Sequence, residues 1–124
     1  MKNVLSNEKV FSAINWNKQQ GLNDIFWKQQ VRQFWLPEEV AVSKDILTWK
    51  SFESQKTYMR VLAGLTLLDT IQTNVGMNEV ARFTKDLQTK ALFTLFGAFE
   101  AIHAKSYSYI FTTLCTNAEI DEVF

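Results

Sequence analysis

Histidine, cysteine and proline occur once each in the 124-residue chain. A lone histidine, His103, excludes any two-histidine metal site or His-paired catalytic constellation, unless His103 is its centre or another chain contributes. A lone Cys115 cannot close an internal disulfide, so a reducing compartment is expected. One Pro and four Gly leave little turn chemistry, which argues for helices. No segment reaches the roughly 18 uninterrupted apolar residues of a membrane span. Met1 to Phe11, with Lys2, Glu8 and Lys9 among few apolar residues, makes a poor signal peptide. Thirteen Lys+Arg against thirteen Asp+Glu give zero net charge, so there is neither a basic field for nucleic acid nor an acidic tail. A soluble, cytoplasmic protein with no nucleic-acid and no membrane partner is expected.

What is present suits a single folded domain. The chain is 47% hydrophobic and 21% charged, and ten Phe, four Trp and three Tyr provide bulky surface for a core. Residues 1–22 read as a polar lead-in arm. Asn23 or Asp24 can cap a short helix through Phe34, and Pro37 ends it by barring Leu36 from helical geometry. Ser43 is a candidate N-cap, with Asp45 in the first turn, for helix running toward Asn74 with a break near Ser51–Ser54. Tyr58, Val61, Leu62, Leu65, Leu68 and Ile71 recur at helical spacing. Gly76 and Asn78 suggest the next break, before a long helix from about Glu79 to Leu114. No stretch alternates as a strand would, so the expected class is all-α.

Several polar residues share the apolar stripes. Asp69 lies one turn after Leu65 and two after Leu62, where a lone buried carboxylate costs several kcal/mol unless paired, protonated or metal-bound. Glu100, His103 and Tyr107 stand at i, i+3 and i+7, continuing the face of Phe93 and Phe96 that Ile110, Phe111 and Leu114 resume. A Glu and a His three residues apart can reach one ion, and carboxylate plus imidazole suits Fe, Mn, Co or Zn better than Mg or Ca. Glu-x-x-His alone is a weak signal; the apolar neighbours, Asp69 on another helix and Tyr107 one turn beyond His103 strengthen it. Cys115, Trp16, Trp27 and Trp49 read as packing residues. Lys105 and Ser106 point away from the Glu100–His103 face.

These residues sit in longer strings: Gln-Phe-Trp-Leu-Pro-Glu-Glu-Val (33–40), Leu-Ala-Gly-Leu-Thr-Leu-Leu-Asp-Thr (62–70) and Glu-Ala-Ile-His-Ala-Lys-Ser-Tyr-Ser-Tyr-Ile-Phe-Thr-Thr-Leu (100–114). In order and separation they resemble the small (β) subunit of class Ib ribonucleotide reductase, from about Trp16 to Phe124. The resemblance implies a ferritin-like helical bundle with a dinuclear manganese or iron centre that generates and stores a tyrosyl radical. Carried over by position, Asp69 is a terminal ligand of one metal, Glu100 a bridging carboxylate and His103 a ligand of that same metal. Tyr107 matches the radical tyrosine, and Trp35 the tryptophan of the radical-transfer route to the large subunit. The implied partners are the large (α) subunit, a flavodoxin-like activator and a second copy in a homodimer.

A complete centre of this type takes four carboxylates and two histidines, with Glu-x-x-His on two helices. Only half of that set occurs here, since Glu119, Asp121 and Glu122 follow too closely on the long helix and no second His accompanies them. The chain is therefore expected to be one incomplete domain: arm 1–22, helices 23–75 carrying Asp69, and long helix 79–115 carrying Glu100, His103 and Tyr107. Two outcomes follow. Either this is the N-terminal piece of a split or interrupted subunit that a separate C-terminal fragment completes, or it is a catalytically inactive remnant that at most binds a partner. A mononuclear enzyme using Asp69, Glu100 and His103 as a facial triad is a poorer match, because known triads use two His and one carboxylate. Helices that lack bundle neighbours are also expected to leave apolar faces uncovered.

Overall fold

A computed structural model describes residues 13–18 and 21–124 of the chain. Regular structure among them is helical: α1 (Leu22–Arg32), α2 (Ile46–Trp49), α3 (Gln55–Ile71), α4 (Met77–Phe83), α5 (Leu87–Leu114) and α6 (Asn117–Val123). Tight 3-10 turns occupy Pro37–Glu39 and Val42–Asp45. The all-α expectation holds, and no helix among the described residues is long and apolar enough to cross a membrane. Of the expected arm over 1–22, residues 1–12 and 19–20 lie outside the described residues.

The core forms where α3 crosses α5. Met59, Leu62 and Ala63 meet Phe111, and Trp49, Tyr107, Ile110, Ile120 and Val123 pack around them. Phe111 is only 1% exposed, and enclosing a ring of that size contributes about 2 kcal/mol. The apolar stripe expected on α3 is rotated relative to this core. Leu62 is buried, but Tyr58, Val61, Leu65, Leu68 and Ile71 are exposed. The inward side of α3 instead carries Met59, Leu62, Ala63, Thr66, Asp69 and Thr70. It faces α5, the single long helix available to it here, and the larger aliphatic residues face away.

Several boundaries differ from the sequence expectation, each for a local reason. Helix α1 starts at Leu22, because Gly21 adopts a left-handed φ of 53° that turns the chain into the helix without a side-chain cap. Asn23 is not a cap; its side-chain amide donates to Thr89 Oγ1 of α5 at 2.7 Å. Ser43 lies inside a 3-10 turn and caps nothing, while Ser54 occupies the N-cap position of α3. Gly76 does not break the chain. One π turn, Gln72–Gly76, links α3 to α4, and within it Thr73 Oγ1 donates to the Gly97 carbonyl of α5 at 2.6 Å. Gly97 leaves room for α4 there, since an added Cβ would sit 3.2 Å from Met77 Cβ and push it by a few tenths of an ångström.

The true break comes at Thr84, with extended backbone, so the stretch expected from Glu79 to Leu114 is two helices. Asp86 caps α5, accepting from the Thr89 amide and hydroxyl at 2.7 Å each, and these bonds hold its carboxyl below the usual range. At the other end, Thr116 and Glu119 form a capping box on α6. Upstream, the buried Gln88 side chain donates to the Asn15 carbonyl at 2.6 Å and ties the lead-in segment to the start of α5.

Asp86→Ala should lower stability by about 1 kcal/mol at neutral pH, read from urea midpoints at unchanged slope. Because the folded carboxyl is depressed, the contribution of Asp86 is present above its ordinary value of 3.8 and lost as pH falls through the folded value. The two proteins should therefore converge in acid. The exposed Val61, Leu65 and Leu68 should make the isolated chain associate with rising concentration in sedimentation velocity, and Leu68→Glu should weaken that association. A sharp monomer across the concentration range would contradict this.

Candidate metal centre

Inward-facing positions on α3 and α5 bring three polar side chains together. Asp69 comes from the last turns of α3, and Glu100 and His103 from the middle of α5. His103 Nδ1 lies 3.2 Å from Glu100 Oε2 and 3.8 Å from Asp69 Oδ2. Each residue offers one ligand atom, and the three atoms lie within 4.8 Å of one another. All three side chains are partly buried. The Asp69 carboxyl is pushed above the usual carboxylate range, chiefly by burial, then by the Glu100 charge and a hydrogen bond with Glu100, with His103 opposing.

Trp35 joins this group from a different part of the chain. Its ring stacks on His103 with centroids 5.0 Å apart and planes 14° from parallel. Beside it, Phe34 meets Phe99 edge-on at 6.1 Å, so two consecutive aromatics grip one face of α5 across a single turn. The segment is pinned by buried Pro37 and by the Leu36 amide donating to Glu39 Oε2 at 2.9 Å. Stacking of this kind restricts rotation of the imidazole and thereby sets where its nitrogens point.

Tyr107 follows His103 by one helical turn and packs against the Met59–Leu62–Ala63–Phe111 cluster. Its phenol is pushed above the ordinary value, first by burial and then by the charges of Asp69 and Glu100. The resting phenol therefore stays protonated. Phe93 and Phe96 meet edge-on at 6.0 Å on the preceding turns. Ser106 is buried and donates to the Ile102 carbonyl at 2.7 Å, while Lys105 is exposed; neither enters the cluster. Cys115 is half-buried, and burial raises its thiol, the opposite of activation. The sequence patterns did not reveal that Trp35 covers His103, because Trp35 lies in the irregular link between α1 and the Pro37 turn, where no periodicity records which helix a side chain meets.

A carboxylate on one helix facing Glu-x-x-His on the next, in an all-helical frame, is half of the ligand arrangement that ferritin-like carboxylate proteins use. Residues 13–124 match the family described as ribonucleotide reductase, small chain, and the chain belongs to that family. Ribonucleoside-diphosphate reductase β subunits of Bacillus phage SPbeta and of Bacillus subtilis are each 50% identical to it over 120 residues, 94% of this chain. Among solved structures, the dimanganese(II)-NrdF of Streptococcus sanguinis superposes with a TM-score of 0.83 at 36% identity, over 92% of this chain. The chain spans about 36% of the length of the Bacillus relatives and 41% of the Streptococcus chain.

Crowding of Asp69 against Glu100 has a consequence for the metal-free chain. An acid whose folded pKa is raised binds its proton more tightly when folded, so stability falls as pH rises from the ordinary value of 3.8 through the folded value. Asp69→Asn should flatten that decline and raise the neutral-pH urea midpoint of the metal-free protein. An unchanged pH profile would place the crowding elsewhere.

Proposed function

We propose that this chain supplies one half of the metal site of a class Ib ribonucleoside-diphosphate reductase small subunit, the radical-generating partner in reduction of ribonucleotides to deoxyribonucleotides. Residues 1–124 act on this reading as one incomplete ferritin-like domain. The supporting observation is the convergence of Asp69, Glu100 and His103 from α3 and α5 in a chain of this family.

The donor set fits a manganese or iron ion. Two carboxylates and an imidazole, close enough to raise the Asp69 carboxyl, are groups that a divalent cation would relieve of mutual repulsion. Asp69, Glu100 and His103 would hold one metal of a dinuclear pair. The pair, once bound and oxidised, supplies the one-electron oxidising power for tyrosyl radical formation. The chain holds one His and the complete ligand set needs two, so the remaining Glu-x-x-His comes from polypeptide outside these 124 residues.

The protein's own residues have separable tasks. Trp35 orients His103 by stacking and lies in the radical-transfer route toward the large subunit. Tyr107 is kept protonated by burial and by the two carboxylates, so loss of an electron from its ring also requires loss of the phenolic proton. Phe111 and Ile110, packed with it, keep water from the ring. The partners on this reading are the large subunit, a second copy, a flavodoxin-like activator and the polypeptide carrying the other ligands, all in the cytoplasm.

The test is complementation. The chain should be mixed with a family C-terminal polypeptide carrying the second Glu-x-x-His, loaded with Mn(II) or Fe(II) and treated with oxidant. A tyrosyl-radical EPR signal is expected, and Tyr107→Phe should abolish it while leaving metal uptake intact. No signal with either metal would sink the reading in favour of an inactive remnant.

A further inference from the structure

Far from the metal cluster, three aromatic side chains surround a small cavity at the junction of α2, the following bend and α3. Trp49 and Tyr58 rings lie 5.7 Å apart at 62°, Phe52 and Tyr58 6.2 Å apart at 87°, and Trp49 and Phe52 5.9 Å apart at 35°. Together with Asp45, Thr48 and Leu114 they line an open cavity of about 200 Å³. Tyr58 meets both other rings at steep angles, Trp49 and Phe52 are only tilted against each other, and all three rings border the same cavity.

The frame of this corner is set by hydrogen bonds in the backbone beneath it. The Phe52 amide donates to the Trp49 carbonyl at 3.1 Å, and Ser51 Oγ donates to the Thr48 carbonyl at 3.2 Å. Thr48 Oγ1 donates to the Asp45 carbonyl at 3.0 Å, and the Gln55 side-chain amide donates to the Trp49 carbonyl. The bend that separates α2 from α3 thus folds Phe52 back toward the two rings on either side of it. Trp49 leans on the core, whereas Phe52 is 45% exposed and serves as the outer wall. None of these residues is used by the metal cluster.

Chemistry identifies the occupant. The negative faces of Trp, Tyr and Phe attract cations within about 6 Å of the ring centre, and aromatic cages are a recurrent solution for alkylated ammonium groups. Asp45 puts a carboxylate at the same cavity, and no ion pair among the described residues engages it. At about 200 Å³ the space is below that of a drug-sized ligand site, which suits a head group more than a whole large molecule. We propose that Trp49, Phe52 and Tyr58, with Asp45, bind an alkylammonium head group, its methyl groups against the rings and its charge beside the carboxylate.

The test uses the full chain labelled with 15N, following the Trp49 indole resonance assigned through Trp49→Phe. Choline should shift that resonance saturably in the millimolar range, while the neutral isostere 3,3-dimethyl-1-butanol should bind about tenfold more weakly or not at all. Phe52→Ala, at an exposed position, should weaken choline roughly fivefold, and Asp45→Asn about two- to fivefold with loss of its salt dependence. A trimethyllysine peptide that binds more tightly than choline, with the unmodified lysine peptide weaker, would identify a protein side chain as the source; choline binding with no gain from the peptide would identify a small molecule. Equal binding of choline and its neutral isostere, or no saturable shift with choline, would overturn the proposal.

Discussion

Asp69 and Glu100 bring two carboxylates together and, with His103, place three potential ligand atoms within 4.8 Å of one another, a crowding that a retained proton or a bound cation relieves. The rest of the site is arranged around that constraint. That proximity exists because α3 and α5 pack through Met59, Leu62, Ala63 and Phe111, about two to three turns away, which fixes the distance between the helices. Thr73 adds a second tie from the π turn to Gly97, on the opposite side of Asp69 from that hydrophobic contact. Asp69 therefore stands between two anchored points, with little freedom to swing into water. His103 relieves part of the crowding, and Trp35 keeps its ring in place from the outside.

Sequence pattern showed which polar residues would converge better than it showed where the helices begin and end. Asp69, Glu100 and His103 were visible as polar residues within helical apolar stripes, because helical spacing determines which residues share a face. The neighbouring Gly76 and Asn78 gave the wrong signal. Both favour turns, yet a π turn absorbs Gly76, and the Thr73–Gly97 bond repays the irregularity across helices where no local pattern records it. Asp86 with Thr89 carried a readable N-cap signal that the longer periodicity from Glu79 obscured. The phase of α3 was misjudged for a different reason. Its bulkiest aliphatic residues are exposed, so hydrophobicity alone points to the face that this chain leaves uncovered.

On the proposed reading, that uncovered face and the half-set of candidate ligands are two aspects of one circumstance. A bundle of the ferritin-like class distributes both its apolar contacts and its metal ligands over four helices. The described residues provide two long inward faces, one carboxylate on α3 and one Glu-x-x-His on α5. Among the described residues Val61, Leu65 and Leu68 stay exposed, and no second Glu-x-x-His faces Glu100 and His103. Trp35 differs in being complete within the chain: its stack on His103 requires only α1, the Pro37 turn and α5.

On the proposed reading, Asp69, Glu100 and His103 form a metal-binding half-site already assembled by the packing of α3 on α5. Titrating Mn(II) into the chain at neutral pH, with free Mn(II) followed by EPR, tests it most directly. A single class of bound Mn(II) is expected, and Glu100→Gln or His103→Ala should remove it while the helical circular dichroism is retained. Binding that survives both substitutions unchanged would contradict it.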